Sequence, residues 1–131
     1  MAAYLLDTGI LIRHLRGQKA AVRLLRGLGG KSRLAISAVT RAEIRAGMRQ
    51  PEDRATRRLL ARLETIPLDR QIADRAGDLI RHARAQGCSL HLAYAIIAAT
   101  AAQRGLTLLT LNTSDFEGLG LSLYPLPDDL N

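Results

Sequence analysis

The chain has 131 residues, 47% of them apolar, and a formal net charge of +7. That length favours one domain with a real core, and no apolar run approaches the roughly 20 residues that span a bilayer. A lone cysteine, Cys88, excludes an intrachain disulfide and a cysteine-based metal site.

The N-terminus shows no basic segment followed by a cleavable apolar stretch, so no signal peptide is read and a cytoplasmic location is expected. Arginine supplies nearly all the positive charge, since the only lysines are Lys19 and Lys31. A basic domain favours an anionic partner, nucleic acid first. Arg-rich helices equally well make an ordinary solvated face. With three Tyr and one Phe in the chain, a base-stacking platform is not expected.

Ala3–Leu6 reads as a short buried strand and Thr8–Leu15 as a short helix after a tight junction. Gln18–Leu28 carries apolar residues at helical spacing, and Gly27, Gly29 and Gly30 end it. Leu34–Ile36 is the second strand, and Ser37 is a good N-cap for a helix running to about Met48. Pro51 starts a helix to Leu63 as a first-turn residue, and Thr65–Leu68 is the third strand. The pattern from Asp69 to Gln86 marks a long helix stopped by Gly87. Leu90–Gln103, apolar nearly all round, reads as a buried helix. Leu106–Leu109 is the fourth strand, Leu121–Tyr124 a fifth at the edge, closed off by Pro125 and Pro127. Asp128–Asn131 reads as a frayed tail. Strands alternate with helices, without linker, repeat or low-complexity segment. The fold class is α/β: a single three-layer α/β/α domain over residues 1–131 with a central parallel sheet of four or five short strands.

Most acids sit in polar surroundings. Asp7, Glu43 and Asp115 differ. Asp7 ends an apolar run at the carboxyl edge of the sheet, where open α/β folds place ligands; it also suits an N-cap for the helix at Thr8. Glu43 lies between Ala42 and Ile44, one and a half turns into a helix capped by Ser37; Thr40 and Glu43 also have capping-box spacing. Asp115 follows the fourth strand and also suits a turn or cap. Together, acids from three distant segments make a cluster that a hard cation neutralises. Oxygen-only ligands point to Mg²⁺ or Mn²⁺ rather than Zn²⁺. Such a metal activates water and steadies a phosphoryl transition state. With the basic surface, phosphodiester hydrolysis is the chemistry suggested.

The segments LLDTGILIRHL, SAVTRAEIRAG, LHLAYAIIAATA and LLTLNTSDF, in that order, resemble the motifs of PIN-domain ribonucleases, most of all the VapC toxins of bacterial toxin–antitoxin pairs. The similarity runs from Tyr4 to about Pro125. It implies a Mg²⁺-dependent endoribonuclease and a homodimer, inhibited by a VapB-like antitoxin that fills the acidic site. Asp7, Glu43 and Asp115 match acids of that site, expected to be catalytic and metal-binding. Thr8, Thr110 and Asn112 match polar positions expected to orient the substrate.

Two positions depart from the family pattern. Gly9 follows Thr8 where Asn or Ser is usual. Tyr94 stands where the family's LHLADALIAATA has a metal-site acid, and a neutral phenol with pKa about 10 is a poor Mg²⁺ ligand. Tyr94 is expected to fill the pocket, with its ring over Asp7 or its hydroxyl on Glu43. His91, one turn earlier, offers a softer ligand or an ordinary hydrogen bond at a helix start. The alternative function is therefore a catalytically impaired PIN protein that binds antitoxin or RNA. A receiver-like signalling domain is set aside: it needs an acid pair after the first strand and a late lysine, and no lysine follows Lys31.

Overall fold

Apolar runs at the strand period and amphipathic runs at the helix period alternate along the chain, and the computed structural model, which describes residues 2–130, matches this alternation. Strand β1 (Ala2–Leu6) leads into helices α1 (Thr8–Leu15) and α2 (Lys19–Gly29). Strand β2 (Arg33–Ser37) leads into α3 (Ala38–Gly47), a 3₁₀ turn (Gln50–Glu52) and α4 (Asp53–Ala61). Strand β3 (Glu64–Ile66) precedes α5 (Arg70–Ala85) and α6 (Leu92–Arg104). Strand β4 (Thr107–Leu109), the short helix α7 (Thr113–Phe116) and a 3₁₀ turn (Asp128–Leu130) complete the chain.

The sheet has the order β3-β2-β1-β4, and every pair is parallel. Two-residue alternation sends neighbouring side chains to opposite faces. Leu5, Ala35, Ile66 and Leu108 pack against Ile72 and Ala76 of α5, Ala95, Ile97 and Ala98 of α6 and Phe116. Leu6, Leu34, Ile36 and Leu109 pack against Ile10, Leu11, Leu25, Ile44 and Leu60 of α1 to α4. Burial of each such Leu or Ile contributes about 1.5–3 kcal/mol. This is the three-layer α/β/α arrangement. Helix starts and stops obey local chemistry: the Asp69 carboxylate accepts from the Ile72 N–H at 2.9 Å, and α6 ends where Gly105 adopts a left-handed φ of +64°.

Four expectations change. Leu121–Tyr124 is not a strand. Leu123 forms a single parallel bridge to Leu108, through Leu108 N–H to Ser122 O and Tyr124 N–H to Leu108 O, both 2.9 Å. Pro125 and Pro127 have no N–H to extend the ladder. The helix from Pro51 to Leu63 is a 3₁₀ turn and then α4, which stops at Ala61, and β3 ends at Ile66, before Pro67. The tail is not frayed as far as Leu130: that side chain is fully buried, and Arg13 donates to its carbonyl at 2.6 Å. Asn131 lies outside the described residues. No helix among the described residues is long and apolar enough to cross a membrane.

Candidate active site

Central strand β1 is flanked by β2 and β4, so the segments leaving the carboxyl ends of these three strands meet at one edge. The backbone N–H of Asp7 donates to Leu109 O of β4 at 2.9 Å. The carboxyl group is thereby fixed to the sheet edge, and the residue is 2% exposed. Its Oδ1 accepts from the Thr8 N–H at 2.7 Å and its Oδ2 from the Thr110 hydroxyl at 2.7 Å. Asp7 is the N-cap of α1, so the cap reading is right; unlike an ordinary cap, this one is buried. Burial pushes its carboxyl above the ordinary value of 3.8, the two hydrogen bonds pull against this, and the charges of Glu43 and Asp115 push it further up. A positive charge placed beside this acid would relieve both its burial and the repulsion of its neighbours.

Ser37 Oγ accepts from the Thr40 N–H at 3.0 Å, so α3 starts at Ala38 and the Thr40 capping box does not form. Glu43 consequently faces α1, and its Oε1 accepts from the Thr8 hydroxyl at 2.6 Å. Asp115 lies in the first turn of α7 and is exposed; its charge reaches both Asp7 and Tyr94. Asn112 donates from its backbone to Thr110 Oγ1 at 3.0 Å and from its amide to the Tyr94 hydroxyl at 3.4 Å.

The Tyr94 hydroxyl bonds to Asn112 and not to Glu43. The Tyr94 ring centroid is 5.3 Å from that of Phe116 and 6.0 Å, edge-on, from His91. Phe116 claims the ring, and Thr8 already occupies Glu43. His91 is the exposed N-cap residue of α6 and makes no capping bond. At Gly9 a Cβ would meet only Leu111 Cδ1, at 3.6 Å, so the backbone leaves room for a side chain there. Sequence reasoning misses Phe116 altogether and reads Thr40 only as a helix cap. Thr40 bridges Ser37 and Thr8 at 3.2 and 3.3 Å; no local signal marks Phe116.

No three His, Cys, Asp or Glu side chains among the described residues close on one point tightly enough to cage an ion. A hard divalent cation does not require that. Mg²⁺ commonly takes one or two carboxylates and keeps several waters. Asp7, fixed and oxygen-only, with Glu43 or Asp115 exposed beside it, fits this kind of ion and fits a soft one poorly.

A parallel three-layer domain with a buried acid at the carboxyl edge of its central strand is a ligand-binding α/β scaffold. The model of the PIN domain family matches residues 4–119. Ribonuclease VapC10 of Mycobacterium tuberculosis is 43% identical over 112 residues, covering 86% of this chain and 84% of the relative. Ribonuclease VapC19 of the same organism is 34% identical over 113 residues, 86% of this chain and 90% of the relative. A toxin–antitoxin complex from Klebsiella pneumoniae superposes with a TM-score of 0.80 at 32% identity, over 94% of this chain and 98% of that one. The chain belongs to the PIN-domain family, as a member of the VapC type.

Proposed function

We propose that the chain is a metal-dependent endoribonuclease, the toxin of a VapBC-type pair, which cleaves RNA phosphodiester bonds with Asp7, Glu43 and Asp115 as its metal-binding acids. The observation that carries this is the buried Asp7 carboxylate, raised by burial and by two neighbouring acids, in a chain 43% identical to Ribonuclease VapC10. The same reading gives it a VapB-like antitoxin, a homodimeric state and a cytoplasmic location. The Klebsiella pneumoniae toxin–antitoxin complex supports the antitoxin.

The protein's own groups have separable roles. Thr8 N–H and Thr110 Oγ1 fix both Asp7 oxygens, so this acid needs no reorganisation to take up positive charge. Thr8 Oγ1 holds Glu43 beside it. Asp115, exposed on α7, can turn inward to complete the acid set. Asn112, tied to Thr110 and Tyr94, orients the polynucleotide at the rim. Bound Mg²⁺ or Mn²⁺ supplies a Lewis acid and an activated water.

The test is cleavage of end-labelled RNA by the purified chain with Mg²⁺, with EDTA, and after Asp7→Asn. Cleavage is expected with Mg²⁺, and a loss of about 100-fold or more in the other two arms. Cleavage that survives EDTA and Asp7→Asn would overturn the assignment.

A further inference from the structure

Tyr94 brings a rigid phenol to the site. Its ring packs against Phe116 at 5.3 Å and edge-on against His91 at 6.0 Å, and aromatic pairs of this kind favour the orientation seen. The Asn112 amide donates to the phenol oxygen at 3.4 Å. That bond uses an oxygen lone pair and leaves the O–H hydrogen in place. No described residue accepts the Tyr94 hydrogen. Burial, then the charges of Asp115, Asp7 and Glu43, push the phenol above its ordinary value of 10.0, so it keeps its proton. A site of three carboxylates repels a polyanion, and a neutral, oriented O–H donor at its rim offsets part of that repulsion.

We infer that Tyr94 is a substrate-binding residue whose hydroxyl donates to a non-bridging phosphate oxygen of the RNA backbone. This rests on the nuclease reading for the identity of the substrate. The bond is charge-assisted and directional. It acts on the ground state and the transition state alike, so it is read in binding and KM more than in kcat.

The experiment compares wild type, Tyr94→Phe and Asp7→Asn. Binding of a short fluorescein-labelled RNA is measured by anisotropy in EDTA, cleavage kinetics in Mg²⁺, and folding by thermal melting. Tyr94→Phe keeps the ring against Phe116 and should melt like wild type. It should bind RNA about tenfold more weakly and raise KM by a similar factor, with kcat changed less. Equal RNA binding by Tyr94→Phe and wild type overturns the inference, even where cleavage is intact. Weaker binding by Tyr94→Phe in a wild type that never cleaves supports the phosphate contact and counts against the nuclease. A wild type that binds no RNA overturns both.

Discussion

Asp7 carries two demands that oppose each other. As the N-cap of α1 it stabilises a helix start, yet its buried charge sits beside Glu43 and Asp115, and its carboxyl is held above its ordinary value. Linkage sets the sign. A group whose folded-state pKa is raised releases its proton more readily when unfolded, so its ionisation at neutral pH costs stability, and the cost shrinks as pH falls below the folded value and is gone below the ordinary one. Asp7→Asn removes that charge. The amide oxygen still accepts from Thr8, and Thr110 can turn to accept from the amide nitrogen. At pH about 7 the variant should therefore melt at a higher temperature than wild type in calorimetry without metal. A lower melting temperature would show that the cap outweighs the charge. Of this, the sequence reveals the acid and its edge position, because an apolar run ending in Asp is a local pattern. It does not reveal Thr110 as a partner, 103 residues away, nor that the Tyr94 ring turns to Phe116, because those contacts depend on tertiary packing.

At the scale of elements, periodicity locates β1, α1, α5 and α6 because their apolar residues form runs or recur at the helix period. It overextends β3 and misreads Leu121–Tyr124, because an apolar segment can pack on the sheet edge while only Leu123 bridges to it. It also misses the docking of Leu130, which fills the layer formed by α1 and α2. That layer borders a cleft of about 790 Å³ between α2 and α4, lined by Leu25, Leu34, Arg26, Arg62 and His14. His14 Nδ1 is buried there without a hydrogen-bond partner. Burial, then the charges of Arg26 and Arg62, lower its pKa below the ordinary 6.5. The folded chain therefore favours neutral imidazole. The stability linked to His14 is complete above about pH 6.5, where the unfolded chain is also neutral, and is lost as pH falls towards the lowered folded value. His14→Gln should reduce the fall in melting temperature between about pH 7 and about pH 5 in a pH series of melts. An unchanged fall would place the acid sensitivity elsewhere.

Over the whole molecule, the charge of +7 and the acids of the site pull a nucleic acid in opposite directions. Arginines on exposed faces, among them Arg54, Arg57 and Arg58 of α4 and Arg70, Arg75 and Arg81 of α5, surround a domain whose sheet edge is acidic. Several lie in ion pairs with exposed partners, such as Arg57 with Asp53 at 2.8 Å, and such pairs contribute little to stability. Their excess over the acids is more consequential for long-range attraction of a polyanion. If the basic surface carries the RNA and the acidic edge only cuts it, affinity must track counterion release. A single strand neutralised at about four phosphates gives a log–log salt slope near −3, since each contact contributes about −0.7. Raising salt from about 50 to about 200 mM then weakens binding roughly 50-fold. Anisotropy of a labelled RNA oligonucleotide across that range, in EDTA to prevent cleavage, measures the slope. A slope near zero would mean that the arginines are an ordinary solvated surface and that RNA is held by the site alone. Charge reversal at Arg57 and Arg58 should then leave binding unchanged, whereas a steep slope requires it to flatten.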